Sequence, residues 1–124
     1  GSKIRIRKNV QFIIGDNRYL NHNCMIVCHK EIEIGSDVQF APNVLVYDHD
    51  HDYKVGLKRQ MFKVSPVKIG NQVWVGANSI ILRGSTIGDN VVIGAGSIVK
   101  GNIPSNTIYI QKRNTLINNY EIRG

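Results

Sequence analysis

The sequence predicts an all-β chain wound as a parallel β-helix of hexapeptide repeats. Two observations carry that reading. Residues 69 to 104 divide into six consecutive hexads, IGNQVW, VGANSI, ILRGST, IGDNVV, IGAGSI and VKGNIP. Their first positions (Ile69, Val75, Ile81, Ile87, Ile93, Val99) are all aliphatic, and their fifth positions (Val73, Ser79, Ser85, Val91, Ser97, Ile103) are small or β-branched. Upstream, IGSDVQ (34–39) and FAPNVL (40–45) keep the same register. Neither a helical period of 3.6 nor plain alternation along a long strand produces this pattern, whereas a repeat of six does.

Each hexad reads as one short strand and one turn, and three hexads close a triangular coil. The first and fifth side chains point into the prism. Gly, Asn and Asp at the corners supply positive φ or local side-chain bonding. Successive coils stack at the inter-strand spacing of about 4.8 Å.

The N-terminal third is less regular, but Ile6, Phe12, Ile14, Leu20, Ile26 and Ile32 or Ile34 suggest further coils with small phase shifts. Between Val46 and Ile69 the rhythm breaks, and a loop of about 50–66 is expected to project from a corner. Loops of that length in a compact repeat usually serve function. At its base stands VYDHDHDY (46–53), the densest cluster of titratable residues in the chain. After Pro104 the repeat is expected to end, leaving TIYIQKRNTLINNYEIRG (107–124) to cap the stack as a final strand or a short helix.

Length and composition narrow the classes. The 124 residues suit one domain, 1–124, in which Gly1 and Ser2 read as a tag remnant and the native N-terminus is expected to lie upstream. No apolar run is long enough for a membrane-spanning helix. Cys24 and Cys28 are too few for a disulfide framework and lack the second ligand pair of a structural zinc site, so reduced thiols and a cytoplasmic location are expected. The net charge of +7 invites an anionic partner. Because the basic residues are scattered and not interleaved with aromatics, a nucleic-acid surface is not expected, and a phosphate-bearing small molecule accounts for the charge equally well.

The block VKIGNQVWVGANSIILRGSTIGDNVVIGAGSIV (67–99), preceded by APNVLVYDHDH (41–51), closely resembles the hexapeptide-repeat acyltransferases, and among them the sugar O-acetyltransferases of the maltose, galactoside and surface-polysaccharide type. The likeness runs from about Asn21 to Thr107. It implies a left-handed parallel β-helix and a homotrimer with active sites between protomers. It implies acetyl-CoA as acyl donor, a sugar or polysaccharide acceptor and no required metal.

A histidine near the loop base would be the general base. Seven residues on from the Val of APNV lies His51, with His49 two residues earlier on the same expected face. Imidazole is well matched to removing a hydroxyl proton at neutral pH. Asp48, Asp50 or Asp52 would orient it, and Asp48 is also a candidate acceptor contact. Asn21 matches an acceptor-binding asparagine, and His29 falls where the galactoside-type enzymes carry an acidic acceptor contact.

For the cofactor, Trp74 would flank the thioester end of the pantetheine arm, and Ala77 and Ala95 would let the arm approach the backbone. Lys100, Lys112 and Arg113 would meet CoA by charge, although the usual Gly-x-Pro-Ala-Lys after the last coil is here QKRNT (111–115). N-acetylation of a nucleotide-linked amino sugar and a non-catalytic trimeric scaffold remain alternatives. So do a zinc-dependent carbonic anhydrase using His22, His29, His49 and His51, and a hard-cation site in DHDHD.

Overall fold

The computed structural model describes residues 2–7, 11–51 and 62–120, with His51 and Phe62 described by backbone only. The chain winds through five coils of three strands each. The first holds β1 (Lys3–Ile6), β2 (Gln11–Ile14) and β3 (Tyr19–Leu20), and the second β4 (Met25–Cys28), β5 (Glu31–Ile34) and β6 (Gln39–Phe40). The third runs through β7 (Leu45–Tyr47), leaves the stack as β8 (His49–His51) and β9 (Phe62–Val64), and returns as β10 (Val67–Ile69) and β11 (Val73–Val75). The fourth holds β12 (Ile80–Ile81), β13 (Thr86–Ile87) and β14 (Val91–Ile93), and the fifth β15 (Ile98–Val99), β16 (Asn102–Ile103) and β17 (Ile108–Tyr109).

The strands of equal rank form three five-stranded parallel sheets: sheet 1 (β1-β4-β7-β12-β15), sheet 2 (β2-β5-β10-β13-β16) and sheet 3 (β3-β6-β11-β14-β17). The result is a left-handed parallel β-helix.

Inward side chains fill the prism. Ile69, Val75, Ile81, Ile87, Ile93 and Val99 are buried, as are Val73, Ser79, Ser85, Val91, Ser97 and Ile103. Each fully buried aliphatic side chain contributes about 1.5–3 kcal/mol by leaving water. The inward serines are not orphaned: Ser85 Oγ donates to Leu82 O at 2.6 Å and Ser97 Oγ to Gly94 O at 2.6 Å.

One feature of the hexads explains a corner. Gly15, Gly35, Gly70 and Gly88 stack between sheets 2 and 3, and a Cβ on Gly35 would lie 2.6 Å from the backbone carbonyl carbon of Gly70. The residue after each of the last three glycines sends an oxygen to the coil before it: Asn71 Oδ1 accepts from Ser36 N (2.8 Å) and Asp89 Oδ1 from Asn71 N (2.7 Å). Asn17, Asp37, Gln72, Asn90 and Asn106 complete that corner with φ between +54° and +60°.

Three expectations change in detail. First, the repeat resumes at Val67, which pairs with Ile32, two residues earlier than expected. Second, Ile103 does not sit at a fifth position. Ile87 pairs with Ile103 and Ile93 with Tyr109, sixteen residues on, where Val75 and Ile93 are eighteen apart. The fifth coil thus turns from β15 to β16 two residues short, through Gly101 at φ +98°. Third, the strand after Pro104 is not a separate cap, because β17 completes that coil on β14.

Residues 110–120 carry no regular structure. The Gln111 side chain imitates a strand here: its Oε1 accepts from Ile98 N and its Nε2 donates to Ile98 O, both at 2.8 Å, covering the edge of β15.

The sheets differ outside. Sheet 1 presents the apolar column Met25, Leu45, Ile80 and Ile98. Sheet 3 presents Tyr19, Gln39, Trp74, Val92 and Ile108. Sheet 2 presents the polar column Glu33, Lys68, Thr86 and Asn102 below Ile13.

Candidate functional site

The corner between sheets 1 and 2 collects His29, His49 and the strand of His51, whereas His22 lies at the corner between sheets 3 and 1. Ladder register places Ile6 beside Cys28 and Val27 beside Tyr47, so Arg7, His29 and His49 follow one another at the same point of three successive coils. His29 and His49 accordingly stack, with ring centroids 3.5 Å apart and planes at 12°. Arg7 Nη1 lies 3.4 Å from His29 Nδ1. Guanidinium can only donate, so Nδ1 is the acceptor in this contact. Tyr47 packs against His49 at 5.9 Å.

Beneath this column lies Asp48. Its carboxylate is fully buried and accepts from three consecutive backbone N–H groups: His29 to Oδ1 at 2.8 Å, and Lys30 and Glu31 to Oδ2 at 2.8 and 2.7 Å. Successive amides converging on one anion form a nest, occupied here by the chain's own carboxylate. His49 Nδ1 is 3.6 Å from Asp48 Oδ1.

The acceptor contact expected of Asp48 is therefore corrected. Its oxygens are sealed from solvent and committed to holding the 28–31 turn. Its expected part in orienting the His51 imidazole concerns a side chain outside the described residues; the imidazole that Asp48 does approach is that of His49. The signal was present in the sequence, since Val44, Val46 and Asp48 alternate and the first two point inward.

Cys28, also buried, has its Sγ 3.9 Å from Asp48 Oδ2 and donates to Gln11 O at 3.6 Å. Burial, reinforced by the Asp48 charge, pushes its thiol up from 9.0 to about 11. Cys24 and Cys28 are both free and buried, in keeping with the expectation of reduced thiols.

The projecting loop begins as a hairpin. β8 and β9 pair antiparallel, His49 with Val64 and His51 with Phe62. Arg83, on the next coil's corner, ties it down: its Nε donates to Asp50 Oδ2 at 2.9 Å and its Nη1 to Ser65 Oγ at 3.3 Å. His51 thus stands on an anchored strand, while its side chain lies outside the described residues. So do Asp52, Lys54, Lys58 and Arg59. Among the described residues, no three His, Cys, Asp or Glu groups gather as a metal site.

The remaining candidates fall elsewhere on the same prism. Asn21, Ala77 and Ala95 line the corner between sheets 3 and 1, where Asn21 Oδ1 accepts from His22 N at 2.8 Å. Arg113 joins them by donating from Nη2 to Gly96 O at 2.9 Å. Trp74 lies on the outer face of sheet 3, 43% exposed, between Gln39 and Val92. The small residue that packing requires here is Gly76, since a Cβ on it would lie 2.5 Å from Ala95 N. Lys100 is exposed on the histidine corner, beside Gly101, and Lys112 is exposed in the tail. One chain therefore brings His29, Asp48, His49 and the strand of His51 together, and holds Asn21, Ala77, Ala95 and Arg113 at a different corner.

The chain is thus a left-handed β-helix of repeated hexads with a histidine-bearing hairpin at one corner. The family model for the bacterial transferase hexapeptide (six repeats) matches residues 66–101. A galactoside O-acetyltransferase of Escherichia coli K12 is 44% identical over 77% of this chain and 47% of its own. Among solved structures, a maltose O-acetyltransferase from Clostridium difficile 630 is 41% identical, with a TM-score of 0.69 over 86% of this chain and 60% of that one. A galactoside acetyltransferase in complex with coenzyme A is 40% identical, with a TM-score of 0.75 over 85% and 53%. The chain thus carries the bacterial transferase hexapeptide repeat over residues 66–101 and is similar to these sugar O-acetyltransferases over most of its length. It spans about half the length of the curated relatives it matches.

Two outcomes follow from this geometry. Asp48→Ala strands three amide donors, and is expected to cost about 3 kcal/mol or more in urea denaturation, with Asp48→Asn losing less because one oxygen remains. A loss under about 1 kcal/mol for Asp48→Ala would show water filling the nest without penalty. The Cys28 pKa is raised on folding, so the stability it confers is complete below pH 9.0 and disappears as pH climbs toward about 11. Denaturation midpoints should fall across that window in the wild type and fall less in Cys28→Ala. Equal slopes in both would contradict the assignment.

Proposed function

We propose that this chain transfers an acetyl group from acetyl-CoA to a hydroxyl of a sugar or polysaccharide, with His51 as general base. The observation that carries the reading is the histidine hairpin fixed on a hexapeptide β-helix, in a chain about 40% identical to named sugar O-acetyltransferases over most of its length. An alcohol attacks a thioester only as its proton is removed, and imidazole suits that task near neutral pH. His51 takes the acceptor proton, the oxygen attacks the acetyl carbonyl, and the tetrahedral intermediate expels the CoA sulfur, which regains a proton from the imidazolium. No covalent enzyme intermediate is needed.

His49 is cast as a positioning residue. One ring face is spent on His29, its Nδ1 is turned toward Asp48, and its side chain is 18% exposed. It anchors the strand that carries His51.

The active unit is a homotrimer. The acceptor asparagine, the small residues for the pantetheine arm and Arg113 occupy one corner, and the histidines another. A copy of the chain seated against sheets 1 and 3 brings the two sets face to face and covers their apolar columns. CoA would lie in that groove, with Trp74, Ala77 and Ala95 along the arm and Lys100, Lys112 and Arg113 meeting its phosphates. Reduced cysteines and an acetyl-CoA donor fit a cytoplasmic enzyme.

CoA release from acetyl-CoA with a panel of sugars tests the chemistry. His51→Ala should lose turnover by about 100-fold or more while still binding acetyl-CoA. His49→Ala should lose less. Full activity in His51→Ala alongside a dead His49→Ala would transfer the role of base to His49. For the assembly, light scattering should give a trimer mass for the wild type and a monomer for Ile80→Asp, which puts a carboxylate in the sheet 1 column. A wild-type monomer would defeat the proposed trimer.

A further inference from the structure

A depression of about 250 Å³ opens on the outer face of sheet 2, lined among the described residues by Gln11, Lys30, Glu31 and Pro66. Its position follows from the ladder. Gln11 pairs with Glu31 and Ile32 with Val67, so Gln11, Glu31 and Pro66 form one column, one residue per coil, next to the corner from which the hairpin leaves. Column neighbours stand about 4.8 Å apart.

We infer that this depression is a carbohydrate subsite, holding the pyranose ring next to the one that is acetylated; the inference rests on the sugar O-acetyltransferase reading. The lining suits a neutral ring of hydroxyls. Each hydroxyl both donates and accepts; Glu31 only accepts, Lys30 only donates, and the Gln11 amide does both. One cation and one anion leave the depression near neutral, and Pro66 offers an apolar wall to the C–H face of the ring.

The backbone that carries these groups is held in place, which limits where their side chains can reach. Gln11 N donates to Lys30 O at 2.6 Å, and the amides of Lys30 and Glu31 are the ones that Asp48 grips. That grip also fixes the spatial relation to the chemistry. The turn whose first residue, His29, stacks on His49 ends two residues later in Glu31, at the rim of the depression. Sheet 2 is the polar face of the prism, so the depression stays open to solvent when copies of the chain cover sheets 1 and 3.

The test uses the whole chain with maltose, lactose and cellobiose against glucose and galactose. In NMR titrations, at least one disaccharide should shift the amides of Gln11, Lys30 and Glu31, and the double variant Gln11→Ala/Glu31→Ala should abolish those shifts. In acetyl-transfer assays, the ratio of kcat/KM for that disaccharide to kcat/KM for its monosaccharide should fall about tenfold in the double variant. An unchanged ratio, or disaccharide turnover without shifts at these amides, overturns the subsite. If the wild type acetylates no sugar, the functional reading fails by itself. Disaccharide-induced shifts at Gln11, Lys30 and Glu31 would then still uphold a carbohydrate site, and their absence would end it.

Discussion

Every part of this molecule answers to one constraint: each coil must return above its own start so that its backbone can bond to the next coil. Parallel pairing leaves no freedom to slide, because a slip of one residue would turn every inward side chain outward. Two of the three corners therefore close the same way at every level, and that is why left-handed φ values recur at Asn23, Asn43, Asn78 and Gly96 in one corner and at Asn17, Asp37, Gln72, Asn90 and Asn106 in another. The same constraint makes the outer columns continuous. A residue type chosen at one level is placed directly over its counterpart at the next, so faces acquire distinct chemistry: mainly apolar on sheets 1 and 3, despite Lys3 and Gln39, and polar on sheet 2 below Ile13.

The third coil shows how the constraint is met where function requires departure from it. Between Tyr47 and Val67 the chain leaves the stack, so the turn below, residues 28–31, loses the neighbouring coil that would have accepted its amides. Asp48 replaces that coil. A carboxylate with two acceptor oxygens, held between β7 and β8, takes the three N–H groups that a continuous turn would have left to backbone carbonyls, and charge assistance makes these bonds stronger than neutral ones. Burying an ionised group is costly unless it is fully hydrogen-bonded, and the nest supplies that. Arg83 does the complementary work from above by holding Asp50, although a partly exposed ion pair contributes only about 0.2–1 kcal/mol. The hairpin is thus clamped from both sides at its root, by Asp48 and by Arg83.

The fold was largely legible because its period is written in β-branched residues, and stacking rewards the same residue at each level. Legibility failed where a corner changed length. VKGNIP looks like a sixth hexad, yet Gly101 closes its corner two residues early, and composition at Ile103 is compatible with either inward position. The candidate site was legible as a cluster but not as an arrangement. Nothing in VYDHDHDY distinguishes a carboxylate facing solvent from one facing a nest, except the parity carried over from Val44 and Val46. The stacking of His29 on His49 needed the register between coils, which is set by turn lengths upstream and not by either residue's neighbours. The depression by Gln11 and Glu31 left no motif at all, since its residues come from three coils and share only a ladder column.

Register also explains why a site of this kind is divided. A solenoid corner presents a single column of residues, one per coil, and adjacent columns are strand faces already committed to pairing and packing. A donor thioester, an acceptor hydroxyl and a base need convergent groups from several directions, which one convex corner cannot supply. Projecting a hairpin adds one direction. In the proposed assembly a second prism laid against an apolar face would add the rest, and it would bury Leu45, Ile80, Ile98, Trp74 and Val92, side chains that a lone prism leaves partly or largely in water. On that proposal the apolar columns and the scattered site residues are two consequences of one geometry, because the surface that would drive association is the surface across which the reacting groups would meet.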